Sequence, residues 1–173
     1  MSSTTRLLLM RHAKSDWYSG EGDDFLRPLS DRGKRDARHM GRWLAQSGHL
    51  PAVILSSPSR RTRQTLDLVA EGAGVNLLAR TDWRDVLYLA SSAAIRTLLA
   101  HEYARDALML LGHNPGLEEL LAFLVGDSGV AAGFNKNFPT GAVYVLEMAC
   151  GLDELSSACA RVVAHQRPKA LSG

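Results

Sequence analysis

Three short apolar runs constrain this chain more than any other feature: Leu7-Leu8-Leu9-Met10, Val53-Ile54-Leu55 and Leu108-Met109-Leu110-Leu111. Each is too short for a helix and lacks the apolar–polar alternation of a half-exposed strand. Such runs suit strands covered on both faces, which occur in parallel sheets with helices on either side. Segments with helical spacing lie between them. Ser30 precedes one that runs to about Gln46, with Ala37, Met40, Gly41 and Leu44 on one face and Gly48 and Pro51 closing it. Ser57-Pro58, a cap residue and a first-turn proline, opens a second that carries Leu66, Val69 and Ala70 inward and stops near Gly72–Gly74. A weak strand is expected over residues 75–79. Ser91 or Ser92 caps a third helix with Ile95, Leu98 and Leu99 inward, and Asn114-Pro115 repeats the cap-and-proline device before Leu117, Leu120, Leu121 and Leu124. Residues 126–139 read as a loop, 142–148 and 160–164 as a closing hairpin, and the tail from about Gln166 as frayed. This alternation predicts an α/β fold, a three-layer sandwich with a largely parallel central sheet flanked by helices.

The 173 residues carry no repeat, low-complexity tract or dividing linker, so one domain over 1–173 is expected. A net charge of +2 gives no reason to expect nucleic acid. The charge is unevenly spread: residues 27–63 hold nine Lys/Arg against Asp31 and Asp36, while 115–160 hold six acids and Lys136. A basic half suits an anionic ligand, and a solvated helix face accounts for the same residues. The first apolar run is too short for a signal peptide core or a membrane span, which points to a cytoplasmic protein. Cys150 and Cys159 lie outside any metal-ligand spacing and are expected to be reduced thiols outside the functional site.

The turns after the strong strands carry the chemistry. The first strand ends in Arg11-His12, the second in Ser56-Ser57-Pro58 with Arg61 close behind, the third in Gly112-His113-Asn114-Pro115-Gly116. In open parallel sheets the ligand crevice lies at the carboxyl ends of the strands, and helix N-termini there favour anions. Taken singly, each of these residues reads as a surface arginine or a structural histidine. Their recurrence at one topological position predicts convergence on a phosphoryl group.

These segments resemble the histidine phosphatase superfamily, and in particular its small SixA-type phosphohistidine phosphatases. Residues 9–15, Leu-Met-Arg-His-Ala-Lys-Ser, are similar to its Arg-His-Gly opening motif, with Ala13 at the usual glycine. Residues 56–65 are similar to its second motif, and Gly112-His113 to its late Gly-His segment. Arg27-Pro28-Leu29-Ser30-Asp31-Arg32-Gly33 and Phe138-Pro139-Thr140-Gly141-Ala142 resemble the same group. The resemblance implies a phosphoglycerate mutase-like fold and no metal or other cofactor. It implies a nucleophilic His12, with Arg11, Arg61 and His113 binding the phosphoryl group. For charge to be supplied without a metal, His12 has to be neutral and His113 protonated. The family's leaving-group acid falls in the segment Asp82–Tyr88, where Asp85 is the best match and Asp82 or Asp16 the alternatives.

Only seventeen residues separate His12 from Ser30, too few for a cap domain. An open site suits phosphohistidine displayed on a protein better than an enclosed metabolite. The alternatives are a phosphatase or mutase acting on small phosphate esters and, in another class, a non-catalytic phosphate-binding module. A Gly-x-Ser-x-Gly elbow and a P-loop are both absent from the sequence.

Overall fold

Along β1 (Arg6–Arg11) the side chains alternate between two hydrophobic cores. Leu7 and Leu9 join Leu108 and Leu110 of β4 (Ala107–Gly112) beneath α3 (Ser92–Leu99) and α4 (Gly116–Ala131), where Ile95, Leu99, Leu117, Leu120, Leu121 and Leu124 are buried. Leu8 and Met10 face the other way. They meet Met109 and Leu111, Ile54 of β2 (Val53–Ser56), and the inward faces of α1 (Asp31–Gln46) and α2 (Arg60–Ala73). Uninterrupted apolar strands therefore feed two helical layers at once, the physical reason for the three-layer sandwich. The structure, a computed structural model, describes residues 5–102, 107–132 and 137–171.

The six-stranded sheet has the order β3-β2-β4-β1-β5-β6, completed by β3 (Thr81–Trp83), β5 (Val143–Met148) and β6 (Ala160–Gln166). β3, β2, β4 and β1 run parallel, and β5 and β6 form the expected antiparallel hairpin at one edge. Register is what positions the site. Arg11 pairs with Gly112 and Ser56 with Leu111, so β1, β2 and β4 end level with one another and their turns lie side by side.

Several boundaries differ from the sequence reading. Residues 75–79 form no strand: Leu77 drops into the core, and a 3-10 turn (Leu78–Arg80) leads to β3. α2 begins at Arg60 with Ser59 as its N-cap, and the Ser57 hydroxyl is engaged by His113. α4 begins at Gly116, past a cis Asn114–Pro115 peptide, so Asn114 is not its cap. Gly126 does not end α4. It takes φ 62° and ψ −162°, a conformation open to glycine, and the helix continues to Ala131 beyond this kink; residues 133–136 of the expected loop lie outside the described residues.

The tail does not fray at Gln166, which pairs with Val143; a 3-10 turn (Pro168–Ala170) then packs on α1, with Pro168 buried and Leu171 against the core. Cys150 and Cys159 are free thiols at the β5–β6 turn, the end of β5 away from the site. Among the described residues no helix is long and apolar enough to cross a membrane.

Candidate active site

The level strand ends bring His12 and His113 to a ring-centroid separation of 5.2 Å, and Arg61 Nη2 to 3.4 Å from His113 Nδ1. Arg11 lies close enough for its charge to act on both imidazoles. The four residues expected to converge do so.

Their hydrogen bonds define their protonation. His12 Nδ1 lies 2.7 Å from the Ala13 carbonyl oxygen, which can only accept, so Nδ1 carries the proton. Burial first, and then the His113, Arg61 and Arg11 groups, push His12 down to about 3 against the opposing pull of the Ala13 carbonyl. The ring is therefore neutral and Nε2 keeps its lone pair. Its backbone is braced by Ala13 N–H donating to Thr65 Oγ1 (3.0 Å) and Gly141 N–H donating to the His12 carbonyl (2.9 Å). Ala13, at the family's glycine position, is buried and lies outside the positive-φ region, so this backbone does not require glycine.

His113 has the opposite tautomer. Arg61 can only donate, so Nδ1 accepts and Nε2–H donates to Ser57 Oγ at 2.8 Å. Burial and the Arg61 charge hold His113 at about 3, against the pull of Asp24. As the site stands both imidazoles are neutral, because a proton on His113 Nδ1 would face the Arg61 guanidinium in a buried setting.

Arg61 is 1% exposed, and besides His113 its fork meets Asp24 twice: Nη1 donates to the Asp24 carbonyl oxygen at 2.6 Å and Nη2 to Asp24 Oδ2 at 3.0 Å. Asp24 also accepts from Tyr88 Oη (2.7 Å) and Arg27 Nη2 (2.8 Å). Burial opposes the charge on Asp24, yet the Tyr88 hydrogen bond and the Arg61 and Arg27 charges outweigh it and hold the carboxyl below its ordinary value. The Tyr88 ring meets His113 edge-on (5.6 Å, 90°), and the Trp17 ring stacks on the Arg27 guanidinium at 3.4 Å. Arg11 Nη1 donates to the Phe138 carbonyl at 2.9 Å. Among the described residues, Arg11 Nε, Arg61 Nε, and Arg27 Nε and Nη1 are buried N–H groups without a partner. Such donors are costly to bury, and an anion would satisfy them.

The sequence profile of the histidine phosphatase superfamily (branch 1) matches residues 7–104. The chain belongs to this superfamily. It is similar throughout to two solved structures assigned as SixA phosphohistidine phosphatases. With that of Agrobacterium tumefaciens it shares 29% identity and a TM-score of 0.80 over 95% of this chain and 99% of the other. With that of Nakamurella multipartitia it shares 28% identity and a TM-score of 0.79 over 96% and 98%. The chain is of the SixA type, and its fold is the phosphoglycerate mutase-like one. An uncharacterized chloroplastic protein of Arabidopsis thaliana is 33% identical over 135 residues, which are 73% of this chain and 62% of the plant protein. A 2,3-bisphosphoglycerate-dependent phosphoglycerate mutase of Bifidobacterium longum is 28% identical over 115 residues, 46% of its length. The chain thus matches less than two thirds of either of these longer relatives.

Against that family pattern, the carboxylates expected to serve as acid are placed elsewhere. Asp85 is exposed in a 3-10 turn (Asp85–Leu87), and its side chain has no hydrogen bond or ion pair among the described residues. Asp82 pairs with Arg84 at 2.7 Å, and Asp16 accepts from the Tyr18 N–H at 2.9 Å. Tyr88, three residues beyond Asp85, is the side chain of that segment that reaches the site.

Sequence reasoning missed Asp24, Tyr88 and Ser57 as site residues. Asp24 lies at the end of a stretch that reads only as loop, and nothing local marks Tyr88. Glu118 was missed too; it accepts from Asn114 Nδ2 (3.1 Å) and the Phe138 N–H (3.0 Å), bracing the segment that holds Arg11. Among the described residues no group of three or more His, Cys, Asp or Glu is arranged to hold a metal ion.

Proposed function

We propose that this protein removes the phosphoryl group from phosphohistidine on a protein, through a covalent phosphohistidine on His12 and without a metal. The observation that carries the reading is the state of His12: Nδ1 is tied to a backbone carbonyl and the ring is held neutral, leaving Nε2 free beside two arginines. Nε2 attacks phosphorus, and the Arg11 and Arg61 guanidinium groups take the developing charge on the non-bridging oxygens. The arriving phosphoryl dianion also sets negative charge beside His113 Nδ1. That favours the imidazolium, which then becomes a further donor. The P–N or P–O bond to the leaving group breaks with its electron pair on the leaving atom. Water then attacks phosphorus, the P–N bond to His12 breaks, and its electron pair returns to Nε2. The partnerless buried guanidinium N–H groups and the similarity to SixA phosphohistidine phosphatases support a phosphoryl substrate.

Rapid-quench labelling tests the covalent step. Brief exposure to phosphorylated substrate labels one site with phosphate that is lost in acid and kept in base, as a phosphoramidate is, and the label maps to His12. A label on Ser15 or Ser57 assigns a different nucleophile. Phosphate binding with neither label nor turnover makes the protein a binding module.

A further inference from the structure

Attack by His12 and charge stabilisation by the arginines leave Asp24 without a task, although it is the hub of the site's side-chain contacts. Its Oδ2 accepts from Arg61 and Tyr88 and its Oδ1 from Arg27, while its own carbonyl oxygen takes the other arm of Arg61. It also stands at the opening. The Arg61 side chain is 1% exposed and the Asp24 side chain bonded to it 43%. The step from the buried guanidinium to the part-exposed carboxylate leads toward solvent, the direction in which a group attached to a phosphoryl in the cradle would have to leave.

The two substrate chemistries ask different things of that position. When a P–O ester bond breaks, the electron pair stays on an alkoxide oxygen that needs a proton. Asp24 is poorly placed to give one, since two arginines and the Tyr88 hydroxyl favour its ionised form. Tyr88 already donates its proton to Asp24, and burial together with that carboxylate raises the phenol further. When the P–N bond of a protonated phosphohistidine breaks, the electron pair stays on the ring nitrogen and cancels the positive charge of the ring. The proton on the other ring nitrogen stays where it is, so no acid is required. What helps is a carboxylate that accepts that N–H and favours the cationic ring before transfer.

We propose that Asp24 is the specificity-determining residue of this site, accepting the N–H of the protonated phosphohistidine ring and so favouring phosphorylated histidine over phosphate esters. The inference rests on the phosphohistidine reading of the proposed function and assigns it a residue. It also explains why Asp85, Asp82 and Asp16 lie out of contact with the cradle: this substrate class needs a counter-charge where an ester needs an acid.

The test compares kcat/KM on free phosphohistidine and on phenyl phosphate for the unaltered protein, Asp24→Asn and Asp24→Glu. Asparagine keeps an oxygen acceptor of the same size and removes the charge. The unaltered protein prefers phosphohistidine, Asp24→Asn lowers the phosphohistidine-to-ester ratio about tenfold, and Asp24→Glu recovers part of it. An equal loss on both substrates in Asp24→Asn reduces Asp24 to a support for Arg61 and overturns the inference, as does an unchanged ratio. A preference of the unaltered protein for phenyl phosphate overturns the phosphohistidine reading itself, and the inference with it. The first arm thus judges the function and the second judges the residue.

Discussion

At the floor of the cradle His12, His113 and Arg61 are 6%, 3% and 1% exposed, and the two imidazoles hang on a backbone carbonyl and a serine hydroxyl. At the rim Asp24, Arg27 and Tyr88 hold one another through side chains carried on loops. The floor inherits its geometry from strand register, so a change there alters chemistry while the frame stands. The rim ties a buried Arg27 to an Asp24 side chain that solvent reaches, so effects there are smaller and sensitive to salt. Single changes at the two levels should differ by orders of magnitude.

The largest effect belongs to His12→Ala, which removes the nucleophile and lowers kcat by about 10⁴-fold or more. Inorganic phosphate still binds through Arg11, Arg61 and His113, as isothermal titration would show. Unchanged turnover in this variant would rule out covalent catalysis by His12. Arg61→Ala costs about 10²–10³-fold in kcat/KM and weakens phosphate binding as well, because the arginine acts in ground and transition states alike.

Next in size is the acid response of the floor. His12 and His113 are held at about 3 in the fold, below the ordinary value of about 6.5. As pH falls below 6.5 the unfolded chain binds protons that the folded chain refuses, so stability declines progressively toward pH 3. At pH 4.5 each imidazole costs roughly 2–3 kcal/mol relative to neutral pH. Urea unfolding from pH 7 to 4.5 measures this, and His12→Gln should flatten the slope. A slope identical in that variant would mean that the buried ring is not what titrates.

Rim substitutions should be mild. Tyr88→Phe removes one hydrogen bond to Asp24 and changes kcat/KM by about threefold to tenfold, with added salt enlarging the loss. A collapse comparable to that of His12→Ala would make the phenol part of the chemistry and erase the distinction between the two levels. The smallest effect is assigned to Asp85→Asn, within about twofold in steady-state kinetics, as for a surface change without partners. Activity should also survive a chelator; its loss, restored by a divalent ion, would bring a metal into the mechanism.

Much of the floor was legible because the signal is local. An apolar strand leading into Arg-His, Ser-Ser-Pro or Gly-His-Asn-Pro places chemistry at a strand end, and parallel topology places strand ends together. The missed boundaries share a cause. Ser57 reads as a helix cap until His113, 56 residues away, claims its hydroxyl at 2.8 Å. Residues 75–79 read as a weak strand, yet Leu77 is buried by packing against α2 and the sheet rather than by strand pairing.

What the sequence determined by itself was the alternation of doubly covered strands with amphipathic helices, and with it the level at which Arg11, His12, Arg61 and His113 stand. Both arise from side-chain periodicity and turn chemistry, which act between near neighbours. The tertiary structure alone decided which carboxylate meets the arginines and which ring nitrogen of each imidazole carries the proton. Asp24 reaches Arg61 across 37 residues and Tyr88 across 64, and no local pattern encodes such distances. The neutral state of His113 depends on burial beside a guanidinium, a field set by everything packed around it.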